Sequence, residues 1–123
     1  MARARGLGGA FVRAKDPESL YQWYERHLKL TRESGCFLFR DEDQVSGMTV
    51  VAFFPADTKY FGTSGQQAML NLRVDELDKL IEELTAAGVQ VDPKRESYDY
   101  GKFAWIVDPE GNRVELWEPV KKN

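Results

Sequence analysis

Few side chains in this sequence can do chemistry, and the one in the most patterned setting is Glu115. It stands in DPEGNRVELWEP, residues 108–119, where a turn leads into alternating apolar and polar positions. A carboxylate among apolar neighbours can ligate a metal, hold a ligand in a pocket, abstract a proton beside a carbonyl, or form half of a buried ion pair. Glu115 is the only candidate for a catalytic group. The sequence has one histidine, His27, and one cysteine, Cys36. Divalent iron, zinc or nickel on nitrogen and oxygen ligands generally needs more than one imidazole, or one with several carboxylates. His27 lies beside Trp23 and Tyr24 on what reads as the apolar face of a helix, and is expected to pack rather than ligate. Cys36, in GCFLF, has no basic neighbour in sequence and is expected to be a buried, inert thiol. No Ser–His or Cys–His constellation and no glycine-rich phosphate loop appears.

The elements that must position Glu115 follow from periodicity. GGAFVRAK (8–15) is apolar and β-prone. DPES then opens a helix, with Asp16 able to accept from free backbone N–H groups and Pro17 suited to the first helical position. Leu20, Trp23, Tyr24, His27 and Leu28 fall on one helical face. ESGCFLFR (33–40) and MTVVAFFP (48–55) read as strands joined by a polar hairpin loop, DEDQVSG. AMLNLRV (68–74) is a further strand, followed by the helix DELDKLIEELTAAG, whose apolar face is Leu77, Leu80, Ile81 and Leu84. VQVD is a short strand, and GKFAWIVD (101–108) joins RVELWEP (113–119) through the turn DPEGN.

Two halves correspond at an offset of sixty: Arg13 with Arg73, Ala14 with Val74, Leu20 with Leu80, Tyr24 with Leu84. The pattern is a duplicated βαβββ unit, with module one at about 8–55, a linker at about 56–67 and module two at about 68–119. Neither half can bury both its sheet face and its helix alone, so the halves should share one interior in a single domain of 123 residues. The fold class is α+β, with the two sheets paired around a shared interior.

Bulk composition narrows the partners. A net charge of −3 leaves no basic stripe for nucleic acid. No window approaches the roughly 20 apolar residues of a membrane span, and MARARG leads into no apolar run of signal-peptide type. A lone cysteine fits a reducing cytoplasm.

FVRAKDPESLYQWYERHLKL, LNLRVDELDKLIEELTAAGV and DPEGNRVELWEP together resemble the vicinal oxygen chelate superfamily, which includes glyoxalases, bleomycin resistance proteins and extradiol dioxygenases. The resemblance covers nearly the whole chain. It implies a cleft between paired modules, often completed in a homodimer, and in the metal enzymes a ligand on the first and last strands of each module. Glu115 matches the closing-strand ligand. Gly9 and Met69 occupy the two positions where the resemblance implies histidine, and TVVAFF offers no ligand at all. The expectation is therefore no metal and no cofactor.

Strand alternation places Arg113, Glu115 and Trp117 on the cleft side, with Val114 and Leu116 toward the helices. The same rule turns Gly9, Phe11 and Arg13, then Met69, Asn71 and Arg73, into the cleft, with Phe103 and Trp105 on the neighbouring strand. Phe11, Arg13, Asn71, Arg73, Phe103, Trp105, Glu115 and Trp117 are thus the expected ligand contacts. They suit a small organic molecule with an aromatic or acyl body and one polar group. A competing reading makes Arg13, Arg73 and Glu115 an interior ion-pair network. Tyr60 and Phe61 are either a lid or linker packing, and Tyr98 and Tyr100 lie near a strand entrance. Three functions remain open: a metal-free small-molecule-binding protein; a lyase, isomerase or dioxygenase of the same superfamily; or an interaction module with a filled interior.

Overall fold

The computed structural model describes residues 2–40 and 48–120. The strands and helices run β1 (Arg3–Ala14), α1 (Pro17–Leu28), β2 (Phe37–Phe39), β3 (Thr49–Pro55), β4 (Ala68–Asp75), α2 (Leu77–Ala86), β5 (Gln90–Tyr98), β6 (Gly101–Val107) and β7 (Arg113–Pro119). The strands form one curved, unclosed mixed sheet of seven, in the order β2-β3-β1-β4-β7-β6-β5. The antiparallel pair β1–β4 lies near its middle. On one flank β3 lies parallel to β1, and on the other β7 lies parallel to β4. The two halves of the chain therefore meet strand to strand within the chain. The offset of sixty is kept in three dimensions: α1 begins at Pro17 and α2 at Leu77.

Local sequence explains the helix ends. Asp16 accepts from the Ser19 N–H at 3.1 Å, and Pro17 follows it as the first helical residue. α2 lacks a side-chain cap from Glu76 and instead gives its Leu77 N–H to Glu118 of β7 at 2.8 Å. Helix and sheet are thereby joined on the second flank.

Apolar residues divide by sheet face. On the helical side, α1 covers Ala14, Phe37 and Phe53, while α2 covers Val74, Ala104 and Leu116. On the concave side, Phe11, Phe61, Met69 and Trp105 form a third buried cluster.

Several elements differ from their sequence expectation. β1 begins at Arg3 rather than near residue 8, because polar residues at its start pair with the end of β4 and Arg5 meets Asp75 at 2.9 Å. β5 continues from the expected VQVD through Tyr98; a register shift between Val91 and Arg95 absorbs Pro93, and the polar remainder is held by backbone pairing to β6. The expected strand 33–40 shrinks to β2, preceded by an isolated bridge between Glu33 and Cys36. The expected hairpin loop DEDQVSG lies outside the described residues.

His27 and Cys36 also need correcting. α1 buries Tyr21, whose hydroxyl accepts the Phe53 N–H at 2.9 Å, and this bond sets the helix's facing. Trp23 is left 51% exposed, and the exposed His27 ring rests on it, 4.9 Å between centroids, rather than packing inside. Cys36 is half-buried just before β2, its thiol pushed above its ordinary pKa first by burial and then by Glu33. That shift keeps it protonated and unreactive.

Candidate functional site

The turn DPEGN sets the placement of Glu115. Asp108 accepts from the backbone N–H groups of Glu110 and Asn112, each at 2.9 Å, and Gly111 takes φ +88°, a left-handed conformation that glycine adopts without steric cost. The closed turn pairs Val107 with Arg113, which brings Glu115 opposite Trp105 on β6. On its other side Glu115 lies beside Asn71 of β4. Both neighbours bond it: the Trp105 indole N–H donates to Oε2 at 3.0 Å and the Asn71 amide N–H to Oε1 at 2.5 Å. A third donor, the Tyr60 hydroxyl, reaches Oε2 from the linker.

The linker is clamped to present Tyr60. Arg13 donates to the carbonyls of Ala56, Thr58 and Gln66, each at 2.8 Å, and lies over the Phe61 ring. Arg113 donates to the Tyr60 carbonyl at 3.1 Å and to Asp92 at 2.7 Å. Tyr60 stacks on Phe54 with ring planes 7° apart, and Phe61 is fully buried. Linker packing is thus what holds Phe61, while Tyr60 stands over the carboxylate.

Glu115 is 2% exposed, and its three partners are all neutral. Burial raises its pKa above the ordinary carboxylate value; the three hydrogen bonds oppose that rise without cancelling it. The Tyr60 phenol is pushed up in turn by burial and by the adjacent carboxylate. The remaining amide oxygen of Asn71 is buried without a hydrogen-bond partner.

In front of Glu115 lies a cavity of about 470 Å³. Phe11, Val50, Ala52 and Phe54 line it from the first half, Tyr60 from the linker, and Glu96, Tyr98, Tyr100, Phe103 and Glu115 from the second half. Of the residues expected to contact a ligand, Phe11, Phe103 and Glu115 reach this cavity. Asn71 and Trp105 stand behind Glu115 as its donors. Trp117 backs Phe103 in a parallel stack, 6.0 Å between centroids, with its indole N–H on the Tyr100 carbonyl at 3.2 Å. Arg13 belongs to the linker clamp, and the Arg73 Nε–H donates to the Leu7 carbonyl at 3.2 Å. Glu115 takes its hydrogen bonds from Tyr60, Asn71 and Trp105, so neutral donors satisfy it where the competing reading invoked an ion-pair network.

Glu96, Phe54, Val50 and Ala52 were not among the expected site residues. Val50, Ala52 and Phe54 alternate on β3, so their shared face was readable. Glu96 was hidden because its segment has no strand periodicity and gains its conformation from pairing with Phe103.

A transition metal does not fit the residues present. Both oxygens of Glu115 are already taken by the donors Tyr60, Asn71 and Trp105, none of which is an imidazole, thiolate or carboxylate. Met69 is buried in the apolar cluster where an imidazole would be needed. At Gly9 an added Cβ would lie 2.2 Å from the Val50 carbonyl oxygen, so no side chain can stand there on this backbone. Among the described residues no three His, Cys, Asp or Glu side chains gather to hold a metal.

The family profile for the glyoxalase/bleomycin resistance protein/dioxygenase superfamily matches residues 6–116. The chain belongs to this superfamily. Solved structures with the superfamily fold include methylmalonyl-CoA epimerase from Mycobacterium tuberculosis, 22% identical, with a TM-score of 0.64 over 95% of this chain and 89% of that one. A variant of Streptomyces coelicolor methylmalonyl-CoA epimerase, in complex with 2-nitronate-propionyl-CoA, superposes with a TM-score of 0.71 at 12% identity, covering 98% of this chain and 100% of that one. A superfamily member from Vibrio splendidus 12B01 gives 0.59 at 12% identity, over 94% and 99%. No curated protein matches the chain by sequence. At these identities the likeness establishes the superfamily fold; chemistry must be argued from the site.

Proposed function

We propose that this chain binds a small organic molecule in its concave cleft, against Glu115 and without a transition metal. The observation that carries the reading is the cavity itself: about 470 Å³, walled by both halves, with a buried carboxylate at its base. Volumes of roughly 300–1,000 Å³, mostly apolar with a few convergent polar groups, are typical of small-molecule sites. Trp105, Phe61 and Met69 fill the floor of the concave face but leave this space, which disfavours an inert module with a filled interior. Thermal-shift screening of the purified chain against metabolites and drugs tests the proposal. A stabilising compound should lose its effect in Phe103→Ala; the absence of any hit across a broad library would count against a binding cleft.

A second reading is supported by the raised pKa of Glu115. A carboxyl group tuned toward neutrality in an apolar cleft can exchange a proton with a carbon acid, as an isomerase or lyase requires. Turnover of a bound carbonyl compound with solvent deuterium incorporation, abolished in Glu115→Gln, would favour it over simple binding.

We also propose a cytoplasmic homodimer. The single cysteine supports a reducing compartment. Leu70, 50% exposed, and Leu7, 44% exposed, leave apolar surface on the central strands. Light scattering at micromolar concentration should give twice the chain mass; a monomer would refute the dimer.

A further inference from the structure

Two stacked aromatic pairs border the cavity. Phe54 lies parallel to Tyr60, 5.5 Å between centroids, and Tyr98 lies near-parallel to Tyr100, 5.2 Å apart. Phe103 meets both Tyr98 and Tyr100 edge-on. Among the described residues, the ionisable groups that reach the space are the phenols of these tyrosines and two carboxylates, Glu96 and Glu115, and no lining side chain is basic.

The nearby cations are committed elsewhere. Arg13 holds three linker carbonyls, and Arg113 pairs with Asp92 while lying over Trp105. The Tyr98 hydroxyl and, next, Lys94 at 3.1 Å hold the Glu96 carboxyl below its ordinary pKa, and Lys94 also lies over the Trp105 ring. Glu115 has neutral partners only, and Glu96 adds a like charge that raises its pKa further. A buried carboxylate without a counter-charge is costly, and that cost is relieved by anything that brings a positive charge beside it. Aromatic faces carry negative quadrupole density and favour the same sign of ligand.

We infer that the cleft selects an organic ammonium ion, a positively charged nitrogen on an apolar body, with the rings as its cage and Glu115 as its principal counter-charge. The inference rests on the binding reading above and adds the sign of the ligand's charge. An anionic ligand would face two carboxylates with no cation on the cavity wall. A neutral one would leave Glu115 as it stands.

Three probes of similar size separate these cases: benzyltrimethylammonium, its uncharged isostere neopentylbenzene, and benzenesulfonate. Each is titrated into the full-length chain at pH 8, with shifts of the Tyr60 and Phe103 ring resonances as the readout. The ammonium should bind at least about tenfold more tightly than the isostere, from the Glu115 counter-charge together with the aromatic rings. Glu115→Gln should remove most of that advantage, so that cation and isostere bind nearly alike. This variant can keep its packing, because the Asn71 amide can turn over and offer its unpartnered oxygen to the new N–H. Glu96→Gln, nearer the surface, should weaken the cation about threefold and serves as an independent variant. Equal binding of cation and isostere, tighter binding of the sulfonate, or full retention of the preference in Glu115→Gln would each overturn the inference while leaving the binding cleft in place. If none of the three probes moves either ring, the inference fails, and the thermal-shift screen decides the binding reading separately.

Discussion

Replacing Tyr60 by Phe isolates the contribution of one hydroxyl to the state of Glu115. The ring contacts should persist, since Tyr60 stacks on Phe54 at 5.5 Å and meets Trp105 edge-on at 6.2 Å. One of the two donors to Glu115 Oε2 is removed, leaving the carboxylate with Asn71 and Trp105. A hydrogen bond to an ionised group contributes about 1.5–3 kcal/mol and one between neutral groups about 0.5–1.5 kcal/mol. The variant should therefore lose about 2 kcal/mol where Glu115 is ionised and about 1 kcal/mol where it is protonated. That difference means a further rise in the Glu115 pKa. The sign follows from linkage. The folded-state pKa of Glu115 lies above the ordinary value, so its contribution to stability is complete below the unfolded pKa and declines as pH rises through the folded pKa. Removing Tyr60's donor raises the folded pKa again, and the decline extends to higher pH. Urea unfolding of both proteins across pH 4 to 9, with direct titration of the Glu115 carboxyl carbon by NMR, measures both quantities. A destabilisation independent of pH, or a Glu115 pKa that stays put or falls, would refute the reasoning.

Other perturbations probe the scaffold. Gly9→Ala should cost about 3 kcal/mol in urea unfolding, because the new Cβ meets the Val50 carbonyl oxygen at 2.2 Å and backbone cannot give way cheaply; a variant as stable as the parent would show that β1 and β3 are farther apart. Arg13→Ala should speed amide exchange in the linker, at Gly62 for example, about thirtyfold, equivalent to about 2 kcal/mol of lost local stability from the three carbonyl contacts. Unchanged exchange would mean that the clamp is not what holds Tyr60. Dialysis against a strong chelator should leave the melting temperature unchanged, since hydrogen-bond donors already take both oxygens of Glu115; a fall of more than a few degrees, restored by one metal, would overturn the metal-free reading.

Much of the architecture was legible in residue order. Helix α1 is announced by Asp16 and Pro17, the turn before β7 by Asp108, Pro109 and Gly111, and the doubled plan by matches sixty residues apart. Capping, turn chemistry and apolar periodicity act within a few residues, so they can be read locally. Alternation also placed Phe11, Phe103 and Glu115 on one face correctly, because a strand's side chains change sides at every residue. The absence of histidine at positions 9 and 69 needed nothing beyond the sequence.

Tertiary structure decided which of the inward-facing residues meet. Arg13 and Arg73 share the face of Glu115 by alternation, yet Arg13 turns to linker carbonyls and leaves the carboxylate to neutral donors. Tyr60, in a linker without periodicity, reaches Glu115 across fifty-five residues of sequence, because two arginines fix the path of the backbone. The facing of α1 was likewise set by one remote contact, Tyr21 with the Phe53 N–H. β5 gained six residues from its partner strand and brought Glu96 and Tyr98 to the cavity. Hydrogen bonds of this kind depend on distances between separate elements, which no local pattern encodes. Residue order thus determined that Glu115 would face the cleft, and the packing of elements far apart in the chain decided that it would be buried, met by the neutral donors Tyr60, Asn71 and Trp105, and joined at the cavity by Glu96.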